Sequence, residues 1–155
     1  MSVPSSLHAR RFGGMARLYG VTGADHVSGA HVMVVGIGGV GSWVAESLAR
    51  CGVGELTLVD MDHVAESNIN RQIHALDSTL GQAKVLAMKD RIAQINPDCC
   101  VHVVDDFVTP DNWNDILNQV HTDPQMKSHV MAVVDACDQV RAKMAMADWA
   151  IRCKK

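Results

Sequence analysis

The sequence predicts an α/β chain built on a doubly wound, mostly parallel sheet. Three observations carry that prediction. Short apolar runs rich in β-branched residues recur at 32–35, 56–59, 100–104 and 130–134. A segment with helical periodicity follows each of them, and the carboxyl end of each carries glycines or acids. Strand and helix alternating in this way give parallel strands joined by right-handed crossovers.

The stretch 32–62 organises the rest. The first strand ends at Gly36-Ile37-Gly38-Gly39-Val40-Gly41-Ser42. Glycines there let the backbone turn tightly and approach a phosphate, while Gly41 allows the next helix to pack closely on the sheet. The helix then aims its first amides at an anion. Its apolar stripe is expected on Val40, Val44, Leu48 and Cys51, with Gly52 ending it. The second strand delivers Asp60 and Asp62, and Asp60 lies about 20 residues beyond the glycines, where a ribose hydroxyl is bonded in this arrangement. The expected architecture is therefore Rossmann-like with a nucleotide over the glycine turn; the competing reading is a glycine turn with a structural role alone.

At 155 residues, 48% hydrophobic and 20% charged, the chain is long enough for one core, and its net charge of −3 gives no global pull toward nucleic acid or membrane. No apolar run reaches a membrane-spanning length and residues 1–14 lack a signal-peptide core, so a cytoplasmic protein is expected. The five cysteines, odd in number and mostly within expected strands or helices, read as reduced thiols, with Cys51 and Cys137 in the core. No CxxC pair occurs, so no zinc site is expected.

Residues 1–30 read as an N-terminal arm, with a loose start and short helices from Met15 onward, and 31–155 as the nucleotide-binding domain. The arm's arginines either cover the sheet or reach a phosphate. The segment 63–74 is too polar and aperiodic for a core element, so it is placed at the surface, with Asn68, Arg71 and Gln72 hanging over the strands' carboxyl ends. A helix is expected over 81–96, with Val85, Met88, Ile92 and Ile95 inward. Lys84 in its first turn opposes the helix dipole, a local cost of the kind that marks function, although a solvated lysine fits too. After the third strand, Asp105 and Asp106 serve either acid–base chemistry or loop capping. A helix over 109–119 follows, with Pro110 in its first turn. The fourth strand is expected to be buried and to end at Asp135-Ala136-Cys137-Asp138, and a last helix to bury Val140, Met144, Ala147 and Ile151.

Arg71, Lys84 and Asp138 bear on the choice of nucleotide. NAD needs an acid on its ribose but no cation for a terminal phosphate. Two cations and a candidate Mg2+ ligand suit a triphosphate whose pyrophosphate must leave. The residues favour ATP, with a nicotinamide-dependent oxidoreductase as the rival.

GxGGxGS at 36–42, DxD at 60–62, SNxxRQ at 67–72 and a lysine a dozen residues on resemble the ubiquitin-activating-enzyme-like superfamily that includes ThiF, MoeB and HesA. RFGGMARLYG, NRQIHAL and INPDCCVHVVDDFVTPDN bring the resemblance closest to the branch that dehydrates threonylcarbamoyladenosine in tRNA. It runs from about Arg11 to Arg152. It implies that Gly36, Gly38, Gly39 and Gly41 cradle ATP phosphates, that Asp60 holds the ribose, that Asn68 and Arg71 touch the phosphates with Lys84 between the ribose side and the phosphates, and that Ser42 and Asp62 belong to the same nucleotide site. Asp138 matches a magnesium-coordinating aspartate. Arg17 matches an arginine contributed across a homodimer, so that Arg71, Lys84 and Arg17 are the implied catalytic groups. The implied reaction is adenylation of a carboxylate on tRNA, then ring closure with loss of AMP. The alternatives are adenylation of a ubiquitin-like sulfur-carrier protein, with a sulfur-transfer partner, and a non-catalytic nucleotide-binding fragment. Family members are longer, so the sheet is expected to be truncated after its fourth strand and the following helix.

Overall fold

The computed structural model describes residues 6–122, 124 and 127–153. Helices α1 (Ser6–Phe12) and α2 (Gly14–Ser28) precede β1 (His31–Val35), α3 (Gly41–Arg50) and β2 (Glu55–Val59). Then come α4 (Lys84–Ile95), β3 (Cys100–Val104), α5 (Trp113–Thr122), β4 (Ala132–Asp135) and α6 (Val140–Cys153). The strands form one parallel sheet in the order β3-β2-β1-β4. This is the doubly wound, Rossmann-like architecture that the alternation implied. The chain runs outward from β1 through β2 to β3, then crosses back to place β4 on β1's other side. The switch point therefore lies between β1 and β4, where open α/β sheets place a ligand crevice.

Strand periodicity divides the core into two layers. Val32, Val34, Leu56 and Leu58 face α3 and α4, where Val85, Met88 and Ile92 meet them. Met33, Val35, Val59 and Val104 face α5 and α6, against Trp113, Leu117 and Met146. Each such side chain, fully buried, contributes about 1.5–3 kcal/mol. Glu46, buried on α3, ties this helix to α4 by accepting from Arg91, and it also accepts from Arg50 of its own helix at 2.7 Å. Burial alone would raise its carboxyl pKa, but the two guanidiniums hold it below the ordinary value.

Several expectations change at this level. On α3 the buried face is Gly41, Ser42, Ala45, Glu46 and Ala49, while Val40 is 65% exposed and Cys51 is exposed. A helix lying close on a sheet takes small side chains inward, so Val44 and Leu48 fall to its flanks. On α6 the stripe of Val140, Met144, Ala147 and Ile151 points outward, and Ala142 and Met146 are buried instead, with Trp149 edge-on to Trp113. Strand β4 is half-exposed rather than buried, because it stands at the sheet's edge with only β1 beside it. The segment 63–74 is not simply a surface loop: Asn68, Gln72 and His74 are buried within it.

Boundaries shift as well. Helix α4 begins at Lys84 because residues 62–64 bond to 81–84. Helix α5 begins at Trp113, after a turn in which Thr109 and Asn112 each accept the other's amide. The described residues begin in a helix at Ser6, and Arg11 donates to Gln94 O and Ile95 O at the end of α4 rather than reaching the glycine turn.

Candidate functional site

A cleft of roughly 430 Å³ opens at the carboxyl ends of the strands. Its floor is the glycine turn. Gly36 has φ +87°, and a Cβ there would meet the Ala136 carbonyl oxygen at 2.8 Å and the Cys137 nitrogen at 2.9 Å, so only glycine lets the loop after β4 lie against this turn. At Gly41 a Cβ would come within 1.7 Å of Gly36 O. That glycine is what allows α3 to start directly behind the turn. No side chain caps the N-terminus of α3, although the Ser42 amide in its first turn is already given to Gly38 O at 3.1 Å.

Asp60, 7% exposed, braces the floor: one carboxylate oxygen accepts the Ile37 amide at 2.6 Å and the other the Asp62 amide at 2.8 Å. Both cations expected at the cleft line it. Lys84, 6% exposed, donates to Asp62 at 2.8 Å, and its helix start is tied to the same loop by Lys84 N to Asp62 O at 2.9 Å. The aliphatic stem of Arg71 lies 3.6 Å from where a Cβ on Gly39 would stand, and its guanidinium is held by Ser67 O and Asn70. Trp43 fastens this loop to α3 by donating to Arg71 O at 3.0 Å. Asn68 shapes it from within, its side-chain oxygen accepting the Ala65 amide.

The structure thus brings Gly36, Gly38, Gly39, Asp60, Asp62, Asn68, Arg71, Lys84 and Asp138 to one cleft. Gly41 and Ser42 stand behind it, the Ser42 hydroxyl accepting the Ile73 amide at 3.4 Å. Arg17 lies on the exposed face of α2 and is not a lining residue. Of the paired acids, Asp106 and Asp138 line the cleft; Asp135 instead pairs with Lys143 at 2.8 Å. Burial would raise the Asp135 carboxyl pKa, but Lys143 and Cys137 hold it below its usual value. Cys137 also lines the cleft, and burial with the neighbouring Asp135 carboxylate pushes its thiol up, which leaves little thiolate for attack.

None of Phe107, Val108 and Gln139 is among the site residues that the sequence predicts, and helical periodicity assigns Val40 to the core. All four line the cleft. The signal available for them was their place just past β3 and β4 or within the turn after β1. Carboxyl-end loops are where such sheets put their ligand contacts. In chemical terms the cleft joins uncapped helix amides, two cations and exposed acids, a set that accommodates a polyphosphate with a hard metal ion beside it.

Fold and cleft together define a Rossmann-like domain that opens at the switch point of its sheet. Within that class the chain belongs to the ThiF family, whose profile matches residues 12–155. It is 50% identical over 152 residues to the Escherichia coli tRNA threonylcarbamoyladenosine dehydratase, covering 98% of this chain and 53% of that protein. The Haemophilus influenzae tRNA threonylcarbamoyladenosine dehydratase is 44% identical over 147 residues, covering 95% and 53%. The crystal structure of the E. coli enzyme, TcdA, in complex with ATP superposes with a TM-score of 0.89 at 50% identity, covering 99% of this chain and 59% of that one. The chain spans about half the length of the curated relatives it matches.

Proposed function

We propose that this chain is the nucleotide-binding part of an ATP-dependent tRNA threonylcarbamoyladenosine dehydratase. The observation that carries the reading is the convergence of Arg71 and Lys84 on the cleft over the glycine turn, where a redox dinucleotide has no terminal phosphate to offer them. The relatives named above and the ATP complex of TcdA support it. In this reading Gly36, Gly38 and Gly39 approach the phosphates through their backbone. Asp60 holds the ribose from a carboxylate already fixed by two amides. Asn68, Arg71 and Lys84 hold the phosphate chain, and Asp62 keeps the Lys84 ammonium in place. Gly41 and Ser42 support from behind, the one by admitting α3 and the other by anchoring the loop of Arg71.

The tRNA's threonylcarbamoyl carboxylate attacks the α-phosphorus of the substrate ATP, forming a P–O bond as the bond to pyrophosphate breaks. Ring closure onto the activated acyl carbon then expels AMP, so the net change in the tRNA is loss of water. The chain's cations offset the charge that gathers on the leaving pyrophosphate. Asp138 is an exposed carboxylate at the cleft and fits a Mg2+ site that keeps several waters; such an ion would neutralise phosphate charge. No side chain is required as a nucleophile.

Arg17 does not line its own cleft, and it is exposed beside the exposed Leu18, Tyr19 and Val21. This supports a homodimer in which Arg17 reaches the partner's nucleotide. The domain division at residues 30 and 31 belongs to the same proposal, as does a cytoplasmic location: among the described residues no helix is long and apolar enough to cross a membrane.

The test is ATP–pyrophosphate exchange with tRNA bearing the threonylcarbamoyl group. Exchange that depends on this tRNA and falls in Arg71→Ala and Lys84→Ala is the expected result. Exchange stimulated instead by a carrier protein ending in Gly-Gly moves the function to sulfur-carrier activation with a sulfur-transfer partner. ATP binding without exchange marks a nucleotide-binding fragment. Calorimetry showing NAD binding and no ATP binding refutes the adenylation reading altogether.

A further inference from the structure

At the opposite, amino-terminal end of the sheet the parallel register gathers a second group of reactive side chains. His31, Glu55 and Cys100 are in-register partners at the first positions of β1, β2 and β3. Two residues further on, Thr57 pairs with His102. Side chains at i and i+2 share a face, so all five lie on the α5/α6 side, in the same rows as Met33, Val35, Val59 and Val104. His31, Glu55, Thr57 and His102 are all buried.

Most of this group is internally satisfied. His31 bonds Ser128 O and Thr57 through its two ring nitrogens. Glu55 accepts the Lys127 and Ser128 amides and the Ser128 hydroxyl, so its carboxylate pins the segment that enters β4. Burial alone would raise the carboxyl pKa of Glu55, but these bonds and His102 hold it below the ordinary value, and the group stays ionised.

One contact is different. The Nε2 atom of His102 lies 2.8 Å from Glu55 Oε1 and 3.4 Å from Cys100 Sγ. A single ring nitrogen holds either a proton for the carboxylate or a lone pair for the thiol, never both. The three ligand atoms lie within 4.8 Å of one another.

We propose that Glu55, Cys100 and His102 bind a thiophilic divalent cation of the Zn2+ type. Tetrahedral zinc with a Zn–S bond of about 2.3 Å and a Zn–N bond of about 2.05 Å puts sulfur and nitrogen about 3.6 Å apart. The observed Sγ–Nε2 separation is close to that. Nitrogen and oxygen ligands would stand about 3.4 Å apart, so the Glu55–His102 contact opens by about half an ångström as the ion replaces the shared proton. On binding, the Cys100 thiol loses its proton to solvent and forms the S–metal bond. His102 gives its Nε2 lone pair with its proton on Nδ1, and Glu55 keeps its bonds to residues 127 and 128. Water supplies the fourth ligand. The ion then joins β2, β3 and the segment leading to β4 at the end of the sheet away from the cleft, a staple that stabilises the folded chain increasingly as free metal rises above its dissociation constant.

The donors come from two strands and no CxxC spacing announces them, which is why the sequence alone predicts no zinc. Titration of the metal-stripped chain with Co2+ tests the site. One Co2+ per chain is expected, with intense visible bands of tetrahedral geometry and a thiolate-to-cobalt charge-transfer band, both bleached by one equivalent of Zn2+. In Cys100→Ser the charge-transfer band disappears and Zn2+ affinity falls at least tenfold, whereas Cys51→Ser and Cys137→Ser leave both unchanged. On the unaltered chain, Zn2+ should slow iodoacetamide alkylation of Cys100 and leave that of Cys153 untouched, a readout that does not depend on any variant folding. A charge-transfer band that survives in Cys100→Ser, a spectrum of octahedral type only, or alkylation of Cys100 indifferent to Zn2+ overturns the proposal.

Discussion

The glycine turn separates structural from ligand-facing roles position by position, which makes Gly38→Ala the sharpest test of the cleft. A methyl group on Gly38 meets nothing within 4 Å except Gln72 Nε2 at 4.0 Å, and Gly38 is not among the positive-φ glycines. Folding should barely register the change, with a shift within about 0.5 kcal/mol and a Tm change of no more than about 2 °C. Gly38 lines the cleft where a phosphate would approach the backbone, and losing one charge-assisted amide bond costs about 1.5–3 kcal/mol. ATP affinity by calorimetry should therefore fall by about 10- to 100-fold. Gly41→Ala is the counterpart. Its Cβ would stand 1.7 Å from Gly36 O, so α3 must move off the turn by well over an ångström. The group it strikes hardest is a backbone carbonyl that cannot swing aside, which puts the cost at the upper end of overpacking, about 3 kcal/mol, or a Tm lower by about 6–12 °C. If Gly38→Ala folds normally and binds ATP within twofold of the unaltered chain, no phosphate lies on this turn. If Gly41→Ala keeps its Tm, the close approach of α3 is not a constraint.

Further expectations concern charge and exposure. Lys84→Ala should cost less than about 1 kcal/mol of stability, because Asp62 is 54% exposed and regains water, yet lower pyrophosphate exchange by about 100-fold; Lys89→Ala, exposed on the same helix, should do neither. His74 is 1% exposed with neither ring nitrogen bonded, and burial first, then the charges of Lys84 and Arg91, lower its pKa from 6.5 to about 4. The unfolded chain takes that proton before the folded one does, so stability declines as pH falls from 6.5 to about 4, and urea titrations of His74→Phe should flatten that decline by up to about 3 kcal/mol. Glu55, with a folded pKa below its unfolded one, contributes stability above the unfolded value that is lost as pH falls further; Glu55→Gln should cost about 2–4 kcal/mol at neutral pH and remove that acid-limb dependence. On α6, Met144 and Ile151 are 67% and 78% exposed, so Met144→Lys with Ile151→Lys should leave Tm nearly unchanged while lowering any self-association seen by sedimentation.

Much of the molecule follows from the order of residues alone. The glycine turn after β1, the acid at the end of β2, the inward row of Val85, Met88 and Ile92 on α4, and the parallel alternation are local facts of stereochemistry and periodicity. The sequence carried them into the structure unchanged, as it did the pair Arg71 and Lys84 at the cleft. Packing decided the rest. Periodicity marked apolar stripes on α3 and α6 but not which stripe a neighbour would cover; the sheet approaches α3 closely enough to demand Ala45 and Ala49, and α6 turns Val140, Met144 and Ile151 away from it. The polar segment around His74 looked wet because composition does not reveal which side chains a fold will tuck beneath it. The group at Glu55, Cys100 and His102 was invisible for the plainest reason: its members meet only because β2 and β3 pair in one particular register, and register is a property of the sheet rather than of either strand.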